Sequence, residues 1–257
     1  MRRRVRRAVI GVVALPVGAI AVLAVEVQLA RQGPSLPDDT PLEHDGRVGA
    51  AASTGPPLAM VWLGDSTAAG VGATSAERAI PRLVAAALDQ PVELTSLAVS
   101  GDRVADVVAD QLPALGPLDP DVVLVSVGAN DVVHLTSRAD FRRAYDRVVA
   151  AIPDGTLLVV LGVPDMGAPP RYLQPLRGIA ALRGRQLDGV VADLARDAGA
   201  IYVDIAGETG PTMRADTGRY FAADDYHPSD DGYALWADAV LHQLRPALAD
   251  RRDRAPA

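Results

Sequence analysis

The chain has 257 residues, 49% of them apolar and 4% aromatic, so it can build a sizeable core from Val, Leu, Ala and Ile. It has no cysteine, which excludes disulfides, thiolate metal sites, a cysteine nucleophile and a lipidated cysteine anchor. Its net charge is −7. Residues 1–57 hold seven Arg against five Asp and Glu, so the acidic excess lies wholly in the remainder, a balance that argues against a nucleic-acid partner.

The chain opens with Arg2, Arg3, Arg4, Arg6 and Arg7, followed by 18 uncharged residues from Ala8 to Val25. As a helix that run spans about 27 Å, close to a bilayer core. It reads as an export or membrane segment over residues 1–30. Its length favours an uncleaved anchor over a removable signal, and the arginines place the following body outside the cytoplasmic membrane. Secretion after cleavage is the alternative. Residues 31–57, rich in Pro, Gly and Asp, read as a flexible linker.

From Leu58 onward, apolar strands alternate with amphipathic helices. Strands are expected over 58–63, 92–98, 121–127, 156–162 and 200–204. Helices are expected over 74–88, 102–112, 138–151, 173–198 and 229–247. The third strand, Asp121 to Val127, is almost continuously apolar, as a strand covered on both faces is. Five βα units predict an α/β domain, residues 58–250, with a five-stranded parallel sheet and right-handed crossovers. Residues 251–257 read as a frayed tail.

In such a sheet, ligands bind at the carboxyl ends of the strands. There the chain carries Gly64-Asp65-Ser66, Ser100-Gly101-Asp102, Gly128-Ala129-Asn130-Asp131 and, before the last helix, Asp224-Asp225-Tyr226-His227. These residue types fit acyl transfer. Ser66 would be the nucleophile and His227 its base. Asp224, three residues before the histidine, would fix the imidazole. The backbone N–H groups of Ser66 and Gly101 and the Asn130 amide would receive the oxyanion. Each residue also has a plainer reading. Ser66 could cap a helix, His227-Pro228-Ser229 could be a helix entry, Asn130 could stabilise a turn, and Asp225 could compete for the imidazole.

The four blocks, in this order, resemble the SGNH (GDSL-type) hydrolases, and the resemblance covers nearly all of 58–250. The second block departs from the family in reading Ser-Gly-Asp-Arg rather than carrying a second glycine with Thr. The resemblance implies a flavodoxin-like three-layer α/β/α sandwich and ester hydrolysis through an acyl-enzyme, with no cofactor. It implies the same roles for Ser66, Asp224, His227, Gly101 and Asn130. The substrates it points to are lipids, short acyl esters or acetylated glycans. An α/β-hydrolase elbow fits less well, since Ser66 follows the first strand and position 68 is Ala. An O-acyltransferase or polysaccharide deacetylase on the same triad, and a non-catalytic binding module, remain alternatives.

Asp65 and Asp131 are expected to hold loops. His134 and His242 are expected to serve surface or structural roles, and His44 falls in the linker. None of the four histidines falls in a metal-ligand pattern, so no metal is expected. The loop Gly162 to Pro170 is expected to wall an acyl pocket, with Tyr172, Tyr220, Phe221 and Tyr226 as candidate aromatics. Arg103 is either a contact for an anionic substrate group or a surface charge.

Overall fold

A computed structural model describes residues 22–36, 41–49 and 56–254. The strands are β1 (Gly46–Val48), β2 (Leu58–Gly64), β3 (Val92–Ser96), β4 (Val122–Ser126), β5 (Leu157–Leu161) and β6 (Ile201–Val203). They form one sheet in the order β1-β3-β2-β4-β5-β6. The five strands read from the sequence are all present and mutually parallel.

The expectation of a five-stranded, all-parallel sheet is corrected. A sixth strand, β1, pairs antiparallel with β3, Gly46 opposite Leu94 and Val48 opposite Val92, so the sheet is mixed. This strand lies inside the stretch read as a flexible linker. Three residues are too few to carry a periodic signal, and the strand is recognisable only from its pairing partner. His44, just before it, is likewise drawn in. It is buried, and its Nε2 lies 3.0 Å from the Ala69 carbonyl oxygen.

Side chains of β2 and β4 alternate between two cores. Met60, Trp62, Val122 and Leu124 face Ile80–Ala86 and Asp230–Arg254, meeting Val84, Tyr233, Trp236 and Val240. Val61, Leu63, Val123 and Val125 face Arg138–Ala150 and Leu176–Asp197, meeting Phe141, Tyr145, Leu187 and Val190. All five β4 residues are buried. Fully burying each such Val or Leu contributes about 1.5–3 kcal/mol, which is why the strand tolerates almost no polar residue. The result is the three layers, helices on both faces of the sheet, expected above.

Helical boundaries differ from expectation at several points. The stretch 74–79 is a turn and a short 3-10 segment, and the helix proper starts at Ile80. The second helix begins at Val104 and widens to a π segment over Val107–Gln111 before ending at Leu115. Two helices, Ile205–Ala215 and Thr217–Tyr220, occupy what read as a long loop, because Gly207, Gly210, Pro211 and Gly218 mask the pattern. The last helix runs on to Arg254, so the tail is helical through that residue, and Arg251 donates to the Asp121 carbonyl 3.1 Å away.

Most of the apolar N-terminal run, residues 8–21, lies outside the described residues. Residues 22–31 are helical. No helix among the described residues is long and apolar enough to cross a membrane.

The chain passes from β2 to β3 on one side, then crosses to β4 on the other. The loops after β2 and β4 therefore part at the carboxyl end of the sheet, where doubly wound sheets open a crevice. Gly64 ends β2 at φ +149, and a Cβ there would stand 2.0 Å from the Ser126 carbonyl oxygen. Strain and overlap both oppose any side chain. Gly64→Ala is expected to destabilise the fold by roughly 3 kcal/mol in urea melts; wild-type stability in that variant would contradict this.

Candidate active site

The loop after β2 is held from within. Asp65 donates its N–H to Ser126 O at 3.0 Å, and its buried Oδ1 accepts from Thr67 N (3.0 Å) and Thr67 Oγ1 (2.8 Å). Turn bonds from Ala69 N to Asp65 O and from Val71 N to Ser66 O, both 2.9 Å, close it. Ser66 is thereby fixed just past the strand end, 6% exposed.

The histidine arrives from the other end of the domain. Residues 221–228 fold back on themselves through a Phe221–Pro228 bridge and a 2.8 Å bond from Ala222 N to His227 O. His227 Nε2 stands 3.0 Å from Ser66 Oγ, and Nδ1 stands 2.6 Å from Asp224 Oδ2. Asp224 Oδ1 accepts from the N–H groups of Tyr226 and His227, each at 3.0 Å. Both carboxylate oxygens are therefore committed, and the imidazole has one orientation available. Tyr226 meets the imidazole edge-on at 4.9 Å, and Tyr172 braces Tyr226 at 5.8 Å.

Asp225 is not the imidazole's partner. It sits in the left-handed region at φ +58 with its side chain exposed, whereas Asp224 is buried. Burial alone would raise the Asp224 carboxyl. The hydrogen bond and charge of His227, with the two backbone donors, outweigh it and hold the group below its ordinary value.

The expected oxyanion donors sit on connected loops. Val99 N donates to Gly64 O at 3.1 Å, which ties the second block to the end of β2. Asn130 Nδ2 donates to Asp102 O at 3.0 Å, which ties the third block to the second and leaves one amide hydrogen over. The N–H groups of Ser66 and Gly101 have no hydrogen-bond partner among the described residues. Gly101 adopts φ +96 with open space where a Cβ would be, so backbone conformation favours glycine there and the space above it is free.

Beside Ser66 opens a cleft of about 480 Å³, counting its mouth. Pro164, Met166 and Pro169 from the loop after β5 wall it, as expected, with Phe221 and Tyr226. Met213 and Trp236 also line it, from helices whose place in the site was not foreseen. Of the four candidate aromatics, Tyr172 reaches it only through Tyr226, and Tyr220 is not among its walls. Asp165 at the wall lies 2.6 Å from Arg214, an ion pair that keeps its charge matched.

Several minor expectations are settled. Asp131 Oδ2 accepts from Val104 N at 3.0 Å and so holds a loop. His134 and His242 are exposed. Arg103 is paired with Asp106 at 3.1 Å in a helix cap, which occupies its charge locally. Gln111 had no signal in the sequence, yet its buried amide accepts from Gly64 N and donates to both Gly64 O and Asp102 Oδ2, each at 2.8 Å. It clamps the strand that leads to Ser66 to the loop of Gly101. No local pattern distinguishes it, because its role exists only once β2 is beside it.

Three other acids of the domain have the opposite electrostatics to Asp224. Burial raises the carboxyls of Asp65, Asp131 and Asp188, offset only in part by bonds from Thr67, Val104 and Tyr202. The native state therefore holds protons the unfolded chain releases, and stability declines as pH rises through these raised values. As pH rises above the ordinary carboxylate range these acids are expected to lower the melting temperature, and Asp65→Asn to lessen the fall. A scanning-fluorimetry series showing a steady rise there would contradict it.

The GDSL-like lipase/acylhydrolase family profile matches residues 62–235. A GDSL-like esterase of Mycobacterium tuberculosis is 34% identical over 201 residues, covering 76% of this chain; the chain spans 64% of that relative's length. Among solved structures, a lipase/acylhydrolase from Enterococcus faecalis aligns with a TM-score of 0.59 at 21% identity, over 74% of this chain and 96% of that one. An extracellular lipase from Streptomyces rimosus aligns at 0.57 and 21% identity, over 73% of this chain and all of that one. At such identities the structures speak for the fold alone.

Proposed function

Because this chain belongs to the GDSL-like lipase/acylhydrolase family, we propose that it is a carboxylic ester hydrolase that works through Ser66, His227 and Asp224. The observation that carries the reading is the unbroken relay from Ser66 Oγ to His227 Nε2 at 3.0 Å and from Nδ1 to Asp224 at 2.6 Å.

His227 takes the Ser66 proton as Oγ attacks the ester carbonyl. The oxyanion that forms meets the N–H groups of Ser66 and Gly101 and the spare amide hydrogen of Asn130. Each such donor is worth about 3–4 kcal/mol of transition-state stabilisation. The ester C–O bond then breaks, and His227 returns the proton to the departing alcohol, leaving the acyl group on Ser66. Water repeats the sequence: His227 takes its proton, its oxygen bonds to the acyl carbon, and the Ser66–acyl bond breaks to release the acid. Asp224 keeps Nδ1 protonated and stabilises the imidazolium at both stages. The chemistry needs no cofactor. The apolar cleft walled by Met166, Met213, Phe221 and Trp236 would take the acyl chain.

The catalytic domain in this reading is residues 58–250, with residues 41–49 completing its sheet edge. The arginine cluster and uncharged run of residues 2–25 support an N-terminal membrane segment and a domain outside the cytoplasmic membrane. The test is a panel of nitrophenyl esters from acetyl to long-chain, with acetylated glycans, offered to the full chain. Turnover of at least one class above the Ser66→Ala background is expected; none across the panel would refute the reading.

A further inference from the structure

Arg171, in the loop after β5, is tied to the catalytic acid and to the N-terminal segment at once. Its main-chain N–H donates to Asp225 O at 3.0 Å, and its NH1 donates to Asp224 O at 2.8 Å. Both peptide carbonyls at the turn that presents the catalytic carboxylate are thus held by one residue. Asp225 needs the support: at φ +58 it occupies a conformation unfavourable for any residue with a Cβ.

The same guanidinium also reaches across to the segment before the domain, with NH1 shared between the two. Nε donates to Ala30 O at 2.7 Å, and NH1 donates to Pro34 O at 3.1 Å. Residues 22–31 are helical, so the Ala30 carbonyl belongs to the last turn, whose carbonyls lack partners within the helix and favour a cation. A planar fork with five donors serves carbonyls spread along its edge in one fixed geometry, which the compact ammonium of a lysine does not match. Gly33 makes room for it. A Cβ at position 33 would stand 2.9 Å from Arg171 Nε and 3.0 Å from Cζ, so any side chain there displaces the guanidinium.

A second charged anchor fixes the same helix. Glu26 is buried, and its Oε2 accepts from Leu176 N at 2.8 Å, at the start of Leu176–Asp197, where a helix's free N–H groups favour an anion. The segment is therefore pinned at both ends, Glu26 on the long helix and the Ala30–Pro34 carbonyls on Arg171.

We propose that Arg171 is a positioning residue that couples docking of residues 26–34 to the catalytic carboxylate, so that full turnover requires the N-terminal segment in place. The inference rests on the triad reading above. Asp224 reaches the imidazole only if the 224–225 turn keeps its conformation, and the Arg171 guanidinium keeps its place over that turn only while the Ala30 and Pro34 carbonyls hold its other donors. Small displacements of a catalytic group are enough to cost one to two powers of ten in rate.

The test uses the full chain and nitrophenyl acetate, with Ser66→Ala alongside. Arg171→Ala is expected to lower kcat about tenfold with KM nearly unchanged, and Arg171→Lys to recover part of the loss by serving the Asp224 carbonyl alone. Gly33→Val, remote in sequence from every catalytic residue, is expected to give the same kcat fall by displacing the guanidinium. In the double variant Gly33→Val/Arg171→Ala the losses should not add, because both remove one contact. Additive losses in the double variant would overturn the coupling, and wild-type kcat in Gly33→Val would overturn it even if Arg171→Ala failed to fold. Wild-type activity in Ser66→Ala would instead overturn the triad reading itself.

Discussion

Replacing Ser66 by alanine is expected to lower kcat by about ten-thousand-fold or more while leaving the fold intact. The size follows from what the hydroxyl does. Among the described residues only the Ser66 hydroxyl meets His227 Nε2, so without Oγ the proposed acyl-enzyme has no atom on which to form. The residual rate is what substrate binding and the oxyanion donors give to attack by water. The small structural effect follows from what the hydroxyl does not do. Its one hydrogen-bond partner among the described residues is that imidazole, and the turn around it is held by Asp65, Thr67 and main-chain bonds that alanine leaves in place. A urea melt should therefore move by about 1 kcal/mol or less. Loss of activity together with a collapse of stability would point to Ser66 as a structural residue.

Asp224→Asn carries the second large effect, a fall in kcat of about ten-thousand-fold. The asparagine oxygen can still accept from Tyr226 N and His227 N, so the turn should persist. Its NH2 group, however, would face Nδ1. That nitrogen would then have to accept, which moves the ring proton to Nε2 and aims a donor at Ser66 where an acceptor is needed. The imidazolium would also lose the anion beside it. The stability comparison has a defined sign. The Asp224 carboxyl lies below its ordinary value, so its contribution to stability is complete above the ordinary carboxylate pKa and is lost as pH falls through the folded one. The deficit of the Asn variant at neutral pH should narrow under acid. An Asn variant with near-wild-type kcat would show that Asp224 does not orient the ring.

The parts of this site legible in the sequence are those whose signals are local. Five strands announce themselves as apolar runs because the sheet is covered on both faces, and the blocks at Ser66, Gly101, Asn130 and Asp224–His227 announce themselves by following those runs. The three-residue spacing from Asp224 to His227 separates it from Asp225, and the structure agrees: residue 225 sits in a left-handed turn with its side chain exposed, while Asp224 Oδ2 meets the ring.

What escaped the sequence is what exists only across distance. β1 is three residues whose meaning is a partner 46 positions away at Val92–Ser96. The Ile205–Tyr220 stretch hides two helices behind glycines and a proline, and with them Met213 in the cleft beside Ser66. Gln111 is an ordinary helical glutamine until β2 lies against it. Arg171 is one arginine among many until its fork is seen to hold both ends of the chain's reach, Ala30 and Asp224. These residues support the machinery rather than perform the chemistry, and supporting contacts leave no motif.

The most direct measurement is covalent labelling of the full chain with a fluorophosphonate, followed by peptide mapping of the adduct. The serine hydroxyl activated by His227 should take a single phosphonyl group, on Ser66, and Ser66→Ala should take none. Equal labelling of the two proteins, or an adduct mapped to another residue, would contradict the account.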